Sequence, residues 1–300
     1  MRELFELTRR DLKVFFKDKG MFISSLITPI LLLVLYSTFL ARVYKDSFFS
    51  AIPAGFEVDP KIIDATVAGQ LISSLLAVSC VTISFCANLL MIGDKANGAI
   101  RDLTVTPVKR STLAGAYYLA SAASTLIVTF TALAFGLAYL ATQGWYLSAS
   151  DVLSVFLDVL LLTLFGTALS SCLHFFLSTN GQASAVGTIV SAGYGFICGA
   201  YMPISSFGSG LRRVLSFLPG TYGTSLLKNH LLGGVFDAMG DAGFPEEAVG
   251  GIREAIDCRL FFFGNEVKTP AMFAILTGAV VFFTGLFVLF HFLFKSEKTK

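Results

Sequence analysis

Charge is what this chain has least of. Asp, Glu, Lys and Arg make up 14% of its 300 residues, against roughly 25% in soluble domains, while 55% of the residues are hydrophobic and the mean hydropathy is +0.75. That leaves too little polar surface to coat a water-soluble particle, so one membrane domain is expected. Other scarcities narrow the function. The three histidines, His174, His230 and His291, stand far apart in sequence without carboxylate or cysteine partners at ligand spacing, which argues against a metal site and a metal-dependent membrane enzyme. No G-x-x-x-x-G-K-[ST] phosphate loop occurs, so the chain does not itself bind and hydrolyse ATP in that way. Of the five cysteines, Cys80, Cys86, Cys172 and Cys198 lie in apolar segments and only Cys258 in a polar loop, so no disulfide framework is expected. No basic tail points to nucleic acid.

Long apolar runs are what the chain has in abundance. Six, at about 21–42, 67–92, 113–141, 152–178, 183–203 and 271–294, are each long enough to cross a bilayer. Each is expected to be helical, because lipid offers backbone groups no other partner. The first follows basic residues as a secretory signal would, but it outruns the roughly 7–15 residues of a cleaved signal and reads as a retained span. Between six spans, thirteen of the 22 Lys and Arg fall in the N-terminal arm, around 95–110 and after 295, with seven acidic residues; the opposite side holds nine basic and twelve acidic. This bias puts both termini in the cytoplasm.

Residues 1–20 read as an amphipathic helix, with Arg2, Glu6, Arg9, Arg10, Lys13 and Lys17 on one arc and Leu4, Leu12, Phe15 and Phe16 on another. Gly20 is its expected stop. An anchor on anionic lipid accounts for this pattern, except that Asp11 falls inside the apolar arc, which an anchor does not need. The fifth run repeats small residues at four-residue intervals, Ala183, Gly187, Ser191, Gly195 and Gly199, a row that lets another helix approach closely. Pro29 is expected to kink the first span. Gln70 and Asn88 are the polar residues of the second span and read as structural. Between Pro203 and Pro270, two apolar pieces, 211–218 and 225–235, are each too short to cross and suit a re-entrant pair covered by other protein. After them, Pro245-Glu246-Glu247 reads as the first turn of a short external helix. An ion-coupled carrier places ionisable groups near the bilayer centre, and here only Asp158 qualifies, roughly 9 Å inside the fourth span at 1.5 Å per residue. It reads either as a hydrogen-bonded interfacial carboxylate or as a proton site.

If the spans hold no energy source, energy enters through a cytoplasmic partner. The conspicuous cytoplasmic feature is 94–112: a charged turn, Asp94-Lys95-Ala96-Asn97-Gly98, then a short helix ended by Thr106-Pro107, then the basic pair Lys109-Arg110 leading into the third span. Here the chain resembles the type-two permeases of ATP-binding-cassette exporters, which include drug, lipid-linked polymer and peptide exporters. The likeness rests on Gly98, Leu103, Thr106-Pro107 and Arg110 at the coupling helix. It continues in Arg9-Arg10-Asp11-Leu12, Phe16-Lys17-Asp18 and Pro29 at the N-terminus, and in Gly199, Pro203, Pro219, Tyr222, Lys228 and Gly233-Gly234 after the fifth run.

The resemblance implies an all-α fold of six transmembrane helices, with an N-terminal interfacial helix, a cytoplasmic coupling helix and extracytoplasmic re-entrant helices before the last span. It implies two copies of the chain in a bacterial plasma membrane, docked to two copies of a separate ATPase that binds the ATP and Mg. The coupling contacts it implies are Asp94, Gly98, Arg101, Asp102, Leu103, Thr106, Pro107 and Arg110 with Arg9, Arg10 and Asp11. The substrate path would be lined by Phe85, Asn88, Tyr194 and Tyr201, with Gly187, Ser191, Gly195 and Gly199 packing helices at the dimer axis. The family commonly carries Glu beside the coupling glycine, where this chain has Asp94 before it and Arg101-Asp102 after it. An ion-coupled carrier using Asp158, and a channel or scaffold without turnover, are the competing readings.

Overall fold

The computed structural model describes residues 2–36, 38, 41, 42, 45 and 59–293. Residues 37, 39 and 40 of the first apolar run and the basic C-terminal residues 294–300 lie outside the described residues. The chain is an all-α polytopic membrane protein. Its helices are α1 (Arg2–Lys17), α2 (Lys19–Leu35), α3 (Pro60–Ala96), α4 (Ala99–Val105), α5 (Arg110–Gln143), α6 (Ala149–Phe175) and α7 (Asn180–Ile197), followed by α8 (Ser209–Leu215), α9 (Pro219–Asp241), α10 (Glu246–Ala255) and α11 (Thr269–Leu293). A two-stranded antiparallel hairpin, β1 (Leu260–Phe262) and β2 (Asn265–Val267), precedes α11. The helix starts obey local chemistry. Asp59 caps α3 ahead of Pro60, and Ser148 and Asp151 close a reciprocal capping box at α6.

Among the described residues α3, α5, α6 and α11 are each long and apolar enough to cross a membrane, and α1 with α2 makes a fifth if taken as one span bent by 72°. Six are expected from the sequence. Two segments account for the difference. The described part of α2 is 17 residues long, and α7 opens on the polar residues Asn180-Gly181-Gln182 and ends at Ile197, short of the expected 203. The α1–α2 bend falls at Asp18, not at Gly20: the Asp18 carboxylate accepts from the amides of Gly20 and Met21 at 2.9 and 3.1 Å, so α2 begins before the glycine. Pro29 sits inside α2 without ending it.

α3 is the centre of the bundle, packed against α2, α5, α6, α7 and α9. It buries 28 of its 37 residues, so its polar side chains can be satisfied only by neighbours or by its own carbonyls. A seam of hydroxyls and one amide does this for Ser84 and Asn88, while Gln70 Oε1, Ser74 Oγ and Ser79 Oγ have no hydrogen-bond partner among the described residues. Ser84 Oγ lies 3.2 Å from Thr167 Oγ1, Asn88 donates to Ser170 Oγ at 2.8 Å and accepts from Ser121 Oγ at 3.0 Å, and Thr129 meets Thr163 at 3.4 Å. Gly166 brings α6 against α3 so closely that a Cβ there would stand 2.9 Å from both Cys80 O and Val81 Cα.

The structure places the two apolar pieces in separate helices, α8 and α9, and makes the second longer than its sequence suggests. Ser225–Val235 is part of α9, 23 residues long and buried among α3, α6 and α11. Its apparent shortness in sequence came in part from Thr221 and Thr224 ahead of the apolar piece, and both are buried, as is Lys228 within it. Lys228 Nζ donates to Gly199 O at 2.9 Å and lies 3.9 Å from Asp257 Oδ2, and that carboxylate also accepts from the amides of Ile204 and Ser205. This one cluster ties the loop after α7 to α9 and to the segment before the hairpin.

Replacing Gly166 by Ala forces α3 and α6 apart and is expected to destabilise by about 1–3 kcal/mol, the usual cost of overpacking. Gly233→Ala, in α9 with open space where the Cβ goes, is expected to leave stability unchanged or raise it by up to about 1 kcal/mol. Thermal unfolding of both variants in the same detergent checks the contrast.

Candidate functional site

At the end of α3 the chain turns back on itself within three residues. Asn97 is still in a helical conformation, Gly98 adopts φ +80°, and α4 starts at Ala99. A side chain is strained in that left-handed conformation, which is why glycine is needed at 98. α4 stops at Val105 because Thr106, ahead of Pro107, is held extended at ψ 156°. Its hydroxyl folds back to donate to Leu103 O at 2.5 Å.

α4 has two unlike faces. Ile100 and Leu103 pack inward on a cluster built from Leu90, Met91 and Ile92 of α3, Leu113 and Tyr117 of α5, Ala183 of α7, and Leu7 and Val14 of α1. Arg101, Asp102, Val105, Thr106 and Pro107 face outward, Val105 with 88% of its surface exposed.

A charged joint lies beside that cluster. Asp94, buried at the end of α3, accepts from both guanidinium nitrogens of Arg10, with Nη2 at 3.2 Å, and from the Tyr117 hydroxyl at 2.7 Å. Arg10 Nη1 also donates to Asp11 Oδ1 at 2.7 Å. The neighbouring carboxylates hold the guanidinium above its usual range, the Asp94 hydrogen bond contributing most. Burial pushes the Asp11 carboxyl up to about 6, against the opposing pull of Arg10. One residue past Asp94, Lys95 Nζ donates to the carbonyls of His174, Phe175 and Leu177 at 3.4, 3.3 and 3.0 Å. These acceptors lie at and just past the C-terminus of α6, where the helix leaves carbonyls without a partner in the next turn.

The ABC-2 type transporter family model matches residues 2–232, which takes in α1, the joint, α4 and the helices through most of α9. The chain belongs to the ABC-2 type transporter family. A search among curated proteins gives no match. ABC-2 permeases are transport components, not enzymes by themselves, and they generally work with an ATP-binding-cassette subunit.

Within this ABC-2 permease the candidate coupling residues divide. Arg9, Arg101, Asp102, Thr106, Pro107 and Arg110 lie on the surface, whereas Asp94 and Asp11 are buried and Arg10 reaches inward to them. Asp94 therefore organises the joint from inside the chain, through Arg10 and Tyr117. The small-residue row does not form one uniform face. Ala183 is buried, Gly187 has open space beside it, Ser191 is half-buried, Gly195 is covered by the ring of Tyr201, and Gly199 (φ +75°) lies beyond the end of α7 against Asp257 and Ile204. Gly195 and Gly199 are thus used within the chain. Of the path candidates, Phe85 packs edge-on to His174, Asn88 is held in the hydroxyl seam and Tyr194 is buried, so Tyr201 alone keeps substantial exposure.

Sequence spacing missed one pairing in particular. His230 of α9 lies 2.6 Å from Asp158 Oδ2, across 72 residues of sequence, and it tilts over Phe273 of α11. Asp158 is fully buried, and its other oxygen has no hydrogen-bond partner among the described residues. A lone carboxylate and a lone histidine, each in an apolar segment, were the available signal, because each is costly without the other. Tyr117 and Lys95 were likewise not singled out. Among the described residues no group of three His, Cys, Asp or Glu side chains converges as metal ligands.

Two outcomes test the joint. Arg10→Gln leaves two buried carboxylates without their cation and is expected to cost about 1–3 kcal/mol, below the figure for a sealed pair because Arg10 is partly exposed. Asp11 favours its protonated form in the fold, so its contribution to stability is complete below about pH 4 and is lost as pH rises through about 6. Asp11→Asn is therefore expected to gain stability relative to wild type as pH goes from 4 to 7, read from paired thermal melts.

Proposed function

We propose that the chain is the permease subunit of an exporter, acting as two copies docked to two copies of a separate ATPase that binds ATP and Mg. The observation carrying this reading is the two-faced placement of α4, which anchors Ile100 and Leu103 in the α1–α3–α5 cluster and leaves Val105, Asp102 and Pro107 outward. An exposed apolar side chain beside the charged Arg101 and Asp102 offers a partner's surface a contact to bury. The polar side of α1 continues that surface: Arg9 and Lys13 flank a concavity that reaches Lys17 and Asp18 at the bend. Movement of a docked ATPase would pass through α4 and the Arg10–Asp94 joint into α3, and different contacts in two states supply the conformational shift.

In this reading α2 and α7 also cross, giving six spans with both termini cytoplasmic in a bacterial plasma membrane. α8 and α9 form the re-entrant pair toward the outside. The cargo is hydrophobic or amphipathic, in keeping with 30 Phe, and drug, peptide and lipid-linked glycan all fit that description.

A second reading, an ion-coupled carrier, is favoured by the Asp158–His230 pair and its unpartnered oxygen. Asp158→Asn separates the two, since a carrier loses transport and an ATP-driven exporter that folds retains most of it. A scaffold moves no substrate under either energy source.

The leading reading is tested by ATPase activity of the purified complex. Val105→Glu changes an exposed side chain and spares the core, and it is expected to reduce partner affinity or permease-dependent hydrolysis by roughly 10-fold or more. Gly98→Pro with Asp102→Arg, which removes the φ that Gly98 requires, is expected to abolish both. Should no ATPase bind the wild-type chain, the exporter reading fails and the Asp158 carrier replaces it.

A further inference from the structure

A cleft of about 510 Å³ opens between the first turns of α5 and the last turns of α11, within the range of roughly 300–1,000 Å³ typical of sites for small amphipathic ligands. Its composition changes along its length. Lys109, Arg110 and His291 line one end, while Ala114, Leu119, Phe287 and Val288 form apolar walls beyond them. Among the described residues no carboxylate lines the cleft, and neither Lys109 nor Arg110 takes part in an ion pair. Both are exposed. Lys109 also precedes an α5 N-terminus with no side-chain cap, so the helix dipole adds to the positive field of the two side chains.

The walls belong to two helices apolar enough to span the membrane, and the basic end coincides with the start of one and the end of the other. A ligand for this shape has an anionic head at the membrane boundary and an apolar tail inside the bilayer. We infer that the cleft binds an anionic phospholipid, its phosphate between Lys109 and Arg110 and one acyl chain between α5 and α11. Charge complementarity selects this occupant over a zwitterionic lipid, and the apolar walls select it over a soluble phosphate. Lys109 stands two residues beyond Pro107, so a lipid held there braces the chain where it leaves α4. Arg110, on this account, faces the bilayer lipid instead of a protein partner.

The test uses the purified full-length chain in detergent, without any ATPase, so its outcome is independent of the exporter reading. Phosphatidylglycerol, phosphatidylcholine or glycerol phosphate is added, and retained ligand is counted by native mass spectrometry. Wild type is expected to retain phosphatidylglycerol in preference to phosphatidylcholine and to retain no glycerol phosphate. Lys109→Gln with Arg110→Gln is expected to weaken phosphatidylglycerol retention about 30-fold, the factor for two basic side chains beside an anionic surface. Val288→Trp fills the apolar part without altering charge and is expected to reduce retention comparably; thermal melts in lipid-free detergent confirm that both variants fold. Equal retention of the two lipids, equal retention by wild type and the charge variant, or binding of glycerol phosphate as tight as that of the lipid would each overturn the assignment.

Discussion

A helix sealed on every side by other helices has no water with which to satisfy a polar side chain, and α3 carries many of them. Ser84 and Asn88 find their partners on neighbouring helices, where an orphaned buried group would cost about 1–3 kcal/mol. That requirement sets how α5 and α6 sit against α3. The hydroxyls of Ser121, Thr167 and Ser170 meet Asn88 and Ser84 only at the observed separation, and the absence of a side chain at Gly166 permits that separation. Apolar packing alone is non-directional in lipid, where helix surfaces and acyl chains are equally greasy. The polar seam supplies the register that greasiness cannot.

The same logic governs the end of α3, with charges in place of hydroxyls. Taking Asp94 out of water is unfavourable until Arg10 and Tyr117 approach it, so α1 is bound to the bundle by the demand of one carboxylate. Asp11 is the residue for which this arrangement is least comfortable, being buried with one oxygen unpartnered among the described residues. A joint that contains both a well-satisfied and a poorly satisfied carboxylate is one whose balance a modest contact from outside can tip.

Much of this was legible in the sequence where one helix speaks for itself. The long apolar runs, the break after Gly98, the Thr106-Pro107 stop and the helix following Pro245 depend on local rules and lie close to where those rules put them. What was not legible depended on partners distant in sequence. Asp158 and His230 each looked solitary, Lys95 looked like one more basic residue of a loop, and α9 looked shorter than it is because polar residues ahead of its apolar piece, such as Thr221, are answered from other segments. The small-residue row shows a related limit: periodicity reveals that a face is narrow, but not which group fills it, and at Gly195 it is the ring of Tyr201.

Asp94 and Lys95 are adjacent on α3 and so point about 100° apart around its axis at 3.6 residues per turn. One grips α1 and the other grips the tail of α6. The final turn of α3 therefore works like a cam. A small rotation of that helix about its own axis would carry the N-terminal helix and the end of α6 in the same angular sense, with no need for α3 to bend or slide.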